Sequence, residues 1–248
     1  MTKCLAYRSN DGEEEFVKHV VRVLEVWKEL KKYYQGGLSR AFPSVKDFDL
    51  MRYAILTHDL GKLAAHYQNN KPGDYRHEVV SAYFAYHGAA ELKEEVRLTL
   101  AAAVMLHHEP IILSTYVSRL GERYLPIYVV RRALERVDLS YGCGDDVINF
   151  IKSENQSVGA LLEKWRSQSL DPKEVLEVVK KIVAQFTVGS IRNLHVKRAR
   201  VAAILHPLVV ADSVAAHIGR GGDGTRVSKR ALEGAEMLDI KELRERLL

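Results

Sequence analysis

Along most of this chain apolar side chains recur at the three- and four-residue spacing of helices buried on one face, and the alternation that a strand-rich fold requires is absent. Phe16, Val20, Val21, Leu24, Trp27 and Leu30 carry the pattern through a first helix that ends before Gly36-Gly37. A second is predicted from Leu50 to Leu60, with Gly61 placed to thin it or to let it run close to a neighbour. After the turn-like NNKPGDYR a third runs from about His77 to His87 and stops at Gly88. Glu91 to His108 has the composition of a fully buried helix, closed by Pro110. Periodicity is weaker from Ser118 to Tyr128, and a short strand around Ile111–Tyr116 would have few partners. Further helices fit Tyr128–Val137, Asp145–Ser153, Val158–Arg166 and Pro172–Phe186, the last opened by Asp171 as cap and Pro172 at its first position. Beyond Gly189 a long apolar helix, about 193–218, has to accommodate Pro207 through a kink.

These elements predict an all-α fold with at most a small irregular or β insertion. Residues 1–248 are read as one domain, with 111–190 a candidate helical insertion that caps or shapes a site and 229–248 an amphipathic C-terminal packing helix. No repeat interrupts this organisation. At 47% hydrophobic composition the chain can build a core without staples. Cys4 and Cys143 offer at most one bridge and form no close pair, so the expectation is structural or incidental thiols, not a disulfide scaffold or a thiolate zinc site. The amino-terminal MTKCLAYRSNDGEEEF turns acidic before any apolar run could serve as a signal peptide. The most apolar stretches, 98–106 and 201–218, are too short for a bilayer or carry His and Asp inside, which predicts a soluble cytoplasmic protein with no membrane partner. A net charge of +5 favours a polyanionic partner, and the positive charge gathers in RNLHVKRAR at 192–200 and RGGDGTRVSKR at 220–230.

Candidate chemistry lies with the histidines and with carboxylates in apolar surroundings. His58-Asp59 closes an apolar helix in AILTHDLGK, where two adjacent ligand-type side chains can grip one metal or serve two through a shared carboxylate. Lys62, four residues after His58, is expected on the same side of that helix, beside an anionic substrate oxygen. His107-His108 repeats the adjacency at the end of the buried helix. Asp212, inside PLVVADSVAA, must be paired or metal-bound. By residue type alone, His19 on the first helix reads as a satisfied core or interface histidine, while His77 in DYRHEVVSAYF reads equally as a ligand or as a structural histidine. A set of imidazoles and carboxylates with no serine or cysteine nucleophile elbow suits manganese, iron, nickel, cobalt or zinc, with magnesium less favoured. Such a centre polarises a phosphoryl oxygen and supplies hydroxide at neutral pH.

At HDLGK the chain resembles the HD superfamily of metal-dependent phosphohydrolases. With RHEVVSA, the HH pair and ADSVAA following in that order, it resembles more narrowly the stand-alone HD nuclease of type I CRISPR interference, from about residue 3 to residue 235. The resemblance implies an HD-domain helical fold and one divalent ion held by His19, His58, Asp59 and Asp212. A second ion would be held with the help of His77, His107 and His108. It implies Asp59 and Lys62 as the catalytic residues, with Lys62 contacting the scissile phosphate. Single-stranded DNA is the implied substrate, with RNA or R-loop DNA in some relatives, and the implied partners are a separate superfamily 2 helicase and a guide-RNA surveillance complex. The chain carries no GxxxxGK[ST] motif, so unwinding would come from that partner. Two other readings are open: an HD-type nucleotide or cyclic-nucleotide phosphohydrolase, and a non-catalytic HD-fold binding module. His66, His87, His195, His206 and His217 fall outside the scheme.

Overall fold

The computed structural model describes residues 3–9, 12–71, 75–108 and 127–220. The chain opens with a short antiparallel hairpin, β1 (Leu5–Ser9) and β2 (Gly12–Glu15), in which Leu5 faces Glu15 and Ser9 faces Gly12. Helices α1 (Phe16–Ala41) and α2 (Leu50–Thr57) follow. A 3-10 turn (Leu60–Leu63) and the one-turn α3 (Ala65–Gln68) lead to α4 (His77–His87) and α5 (Glu94–Leu106). Four helices occupy 127–187: α6 (Ile127–Glu135), α7 (Asp145–Glu154), α8 (Gln156–Ser167) and α9 (Pro172–Thr187). The long α10 (Ile191–Gly219) closes the described chain.

The predominantly helical architecture matches the hydrophobic pattern. Every residue from Glu78 to Tyr86 of α4 is buried. A helix apolar all round belongs at the centre of a core. It lies along α5, while α1 lies along α10, and α10 in turn touches α5 and α2. Met51, Ile55, Leu56, Phe84 and Leu100 fill the space between them. By length and composition α10 would cross a membrane. Its apolar positions Val201, Ile204, Leu208, Ala211, Val214, Ala215 and Ile218 are instead buried in this core.

Three expectations are corrected. The hairpin is an element that the periodicity did not predict, while the strand expected at Ile111–Tyr116 lies outside the described residues, as do residues 221–230 of the second basic segment and the tail 229–248. Helix α1 does not stop at Gly36-Gly37 but continues to Ala41. Two glycines cost a helix roughly 1 kcal/mol each, and the packing of Leu38 and Ala41 on the core, with Tyr34 against His206 of α10, offsets it. Helix α2 ends at Thr57, three residues before the predicted limit, because His58 and Asp59 turn out of it into the 3-10 turn. Finally, Cys4 and Cys143 are joined in a disulfide with Cα atoms 5.3 Å apart, tying the start of β1 to the segment before α7. Their spacing in sequence concealed a proximity to which the pairing of residues 138–142 with Leu63–His66 contributes. Pro207 sits within α10, which runs unbroken through it.

Candidate metal centre

Five separate pieces of chain deliver side chains to one buried point. Helix α1 carries His19, the end of α2 leads into His58 and Asp59, the first residue of α4 is His77, the end of α5 leads into His107 and His108, and the last third of α10 carries Asp212. All seven residues expected as ligands are therefore brought together.

Local structure explains how. Thr57 bonds its hydroxyl back to Tyr53 O and Ala54 O, within the last turn of α2. Asp59 follows with φ −110° and ψ 4°, off the helical path. The chain then approaches α4 so closely that a Cβ on Gly61 would lie 2.0 Å from His77 O. Of the two roles expected for Gly61, close approach to a neighbour is the one observed. Gly61 N donates to Ser81 Oγ and Tyr75 donates its hydroxyl to Gly61 O, fixing the turn against α4.

Asp59 is the hub. Its Oδ2 lies 3.5 Å from Nε2 of both His19 and His58 and 2.7 Å from Lys62 Nζ. Its Oδ1 lies 3.1 Å from His77 Nε2 and 3.5 Å from His107 Nε2. Asp212 Oδ1 closes the first group, 3.0 Å from His19 Nε2 and 3.7 Å from His58 Nε2. His108 joins the second, its ring 4.1 Å from that of His107 and 5.6 Å from that of His77. Two sets of ligand atoms, Asp59/His77/His107/His108 and His19/His58/Asp59, each fall within 4.8 Å of one another and share Asp59.

The imidazoles are oriented for metal. His58 and His107 direct Nδ1 to the carbonyls of Ile55 and Val104, at 2.7 and 2.6 Å. His19 Nδ1 lies 3.2 Å from Glu14 Oε1. Nε2 of His19, His58, His77 and His107 is buried with no hydrogen-bond partner, as is Asp59 Oδ1. Unpaired buried polar atoms are costly in a native fold. Five converging on one point fit a divalent ion, and in His19, His58 and His107 the opposite ring nitrogen is fixed from behind, as metal-bound histidines require.

Electrostatics describe the same strain. Burial would raise the Asp59 pKa, but Lys62 and His58, with His107 and His77, hold it well below the carboxylate range. Burial and the histidines beside it act likewise on Asp212, which is also lowered. Burial would depress His19, yet Asp212 and Glu14 lift it to about 9. Burial and the neighbouring His107 push His108 down to about 2. Lys62 is not four residues along a continuous helix, as expected. The 3-10 turn places it directly on Asp59, buried, with its charged form favoured by that carboxylate against desolvation.

Other predicted features lie away from this point. His66 is buried against Tyr75 and belongs to neither ligand set. The basic segment 192–200 does not flank the centre: at 1.5 Å per residue it begins roughly 30 Å and ends roughly 18 Å from Asp212 along α10. Lys197 and Arg198 donate to Gln185 O and Phe186 O at the end of α9, and Arg200 pairs with Glu95. They serve a helix terminus and an ion pair.

A helical core that gathers a His-Asp dipeptide, four further histidines and a distant aspartate around one buried point is an HD-type metal centre. A model of the HD domain matches residues 16–140. The CRISPR-associated endonuclease Cas3-HD of Thermoproteus tenax is 36% identical over 229 residues, covering 92% of this chain and 96% of its own. That of Pyrococcus furiosus is 29% identical over 224 residues, covering 84% and 89%. The solved CRISPR-associated Cas3 HD domain protein from Methanocaldococcus jannaschii shares the fold, with a TM-score of 0.58 at 23% identity over 84% of this chain and all of that one. The chain belongs to the HD domain family and, within it, to the group of CRISPR-associated Cas3-HD proteins.

Proposed function

We propose that this protein is a metal-dependent nuclease of CRISPR interference that cuts single-stranded DNA, with RNA or R-loop DNA as further substrates of the same centre. The observation that carries the reading is the convergence of four unpartnered Nε2 atoms on a carboxylate that both ligand sets share. His19, His58, Asp59 and Asp212 would hold one ion, and Asp59, His77, His107 and His108 a second. When bound, such ions polarise phosphoryl oxygens and bring the pKa of water toward neutrality. The nitrogen-rich donor set suits manganese, nickel, cobalt, iron or zinc ahead of magnesium.

The chain's own residues do the rest. Asp59 presents one oxygen to each set. Lys62 keeps Asp59 ionised and aligned, and it would contact the scissile phosphate. Ile55 O and Val104 O hold His58 and His107 in register. Affinity for nucleic acid would come from the phosphate backbone, giving salt-sensitive binding without base readout. A separate superfamily 2 helicase and a guide-RNA surveillance complex would supply the opened strand, in the cytoplasm.

The test is cleavage of end-labelled single-stranded DNA with manganese, nickel, cobalt, zinc and magnesium supplied separately, beside nucleotides and cyclic dinucleotides. Metal-dependent shortening that disappears in Asp59→Ala is expected. Hydrolysis of a small nucleotide with DNA left intact would replace this reading with a nucleotide phosphohydrolase.

A further inference from the structure

Glu14, on β2, is a carboxylate buried to 5% exposure in a strand otherwise facing solvent. Burying a charge is unfavourable unless it is paired and hydrogen-bonded, and three groups from two helices meet it. His19 Nδ1 lies 3.2 Å from Oε1, Arg22 Nη1 donates to the same oxygen at 2.5 Å, and Arg220 Nε lies 3.3 Å from Oε2. Arg220, at the end of α10, also lies over the ring of Tyr7 on β1, 3.7 Å from its centroid. The fit is tight: a Cβ on Gly219 would lie 2.2 Å from Arg22 Nη1 and 2.6 Å from Glu14 Oε1.

Among the histidines of the centre, His58 and His107 have Nδ1 on a backbone carbonyl, an acceptor that no side-chain substitution removes. His19 has no such carbonyl. Its Nδ1 faces Glu14 while its Nε2 faces Asp59 and Asp212. A carboxylate accepting from one ring nitrogen places the proton there, fixes the ring plane and makes the other nitrogen a better donor to metal. The two arginines hold the carboxylate in the orientation that this requires.

We infer that Glu14 is a positioning residue that sets the tautomer and ring orientation of His19, so that the amino-terminal hairpin, clamped by Arg22 and Arg220, governs affinity at the ion site built from His19, His58 and Asp212. The inference rests on the metal-centre reading above. It assigns the hairpin a part in metal binding although no ligand lies on it.

The experiment is a titration of metal-free protein with zinc and separately with manganese, read by competition with a chromophoric chelator, for wild type, Glu14→Gln, Glu14→Ala and His19→Ala. Histidine ring nitrogens are followed by 15N NMR in the zinc-loaded proteins. Glu14→Ala is expected to weaken one ion by roughly 10–100-fold, the range for loss of such a partner, leaving the ion at His77, His107 and His108 unchanged. Glu14→Gln retains an acceptor oxygen for Nδ1–H and for the arginines, folds as wild type, and should fall between. The His19 nitrogen signals should show loss of the Nδ1-protonated, Nε2-ligated form in Glu14→Ala alone among the two. If His19→Ala weakens an ion but both Glu14 variants bind with wild-type affinity, the positioning role is wrong and Glu14 is only structural. If His19→Ala itself binds both ions normally, the ligand assignment falls and the inference with it.

Discussion

Replacing Cys143 with serine removes the link between the start of β1 and the segment before α7, and the cost can be worked from the topology. The bridge closes a loop with a sequence separation of 139. By the chain-entropy relation a loop of that length restrains the unfolded chain by about 5 kcal/mol. For a domain of this size, each kcal/mol moves the midpoint by about 2–4 °C, so Cys143→Ser should melt roughly 10–20 °C below the oxidised wild type. The hairpin itself should stay in place. Phe16 N still donates to Cys4 O, Leu5 and the Gln68 side chain exchange two hydrogen bonds, and the Tyr67 hydroxyl donates to Ala6 O. Metal affinity should accordingly change little while stability falls. The assay is denaturant unfolding of both proteins with and without reductant, beside thiol titration of the unfolded, unreduced wild type. Coincident midpoints for oxidised wild type and Cys143→Ser, or two titratable thiols in the unreduced chain, would refute the reasoning.

Asp59→Ala should lose bound metal and all cleavage, while Lys62→Ala should keep most of its metal and turn over more slowly; equal metal loss in elemental analysis would sink that division of roles. Gly61→Ala forces a Cβ into His77 O, and should cost about 3 kcal/mol and abolish metal binding; a variant that melts and binds like wild type would contradict the close approach. In metal-free protein His19 binds a proton with a pKa near 9 against an ordinary 6.5, because Asp212 and Glu14 outweigh burial. The raised value stabilises the fold fully below pH 6.5 and loses its effect as pH rises through 9, a change on the order of 3 kcal/mol; urea melts in chelator that stay level over that window would count against it. Lys197→Ala with Arg198→Ala should lower stability by about 1 kcal/mol through the end of α9, with the salt dependence of cleavage unaltered; a shallower salt slope would return these residues to nucleic-acid binding.

The centre was legible because its side chains are out of place by composition. Asp212 within an apolar helix and the adjacent pairs His58-Asp59 and His107-His108 have no inexpensive structural explanation; the order of the motifs added His77, and the family resemblance added His19. The helices were legible for the same reason that they form: burial of one face imposes a period. Lys62 was assigned its neighbour by assuming that α2 continued, and the 3-10 turn changed which side chain it meets. The hairpin escaped because its strands span five and four residues, too few for alternation to register. Glu14 could not have been found at all. It reads as one of three consecutive glutamates, and its burial depends on Arg220, 206 residues further along the chain, closing over it beside His19 and Arg22 of the neighbouring α1. The local partners of 192–200 were illegible for the converse reason, since a run of positive charge does not reveal which carbonyls it will meet.

The centre also imposes an order on the life of the polypeptide. His19 lies near the beginning of the first helix and Asp212 near the end of the last one described, with the remaining ligands spread between them. No stretch of chain emerging from the ribosome holds the full set until nearly all of α10 has been made and has docked on α1. A protein that cuts nucleic acid without reading bases would be dangerous while half-built beside messenger RNA. With the proposed ligands distributed across the chain, truncated and nascent forms would lack the full metal set.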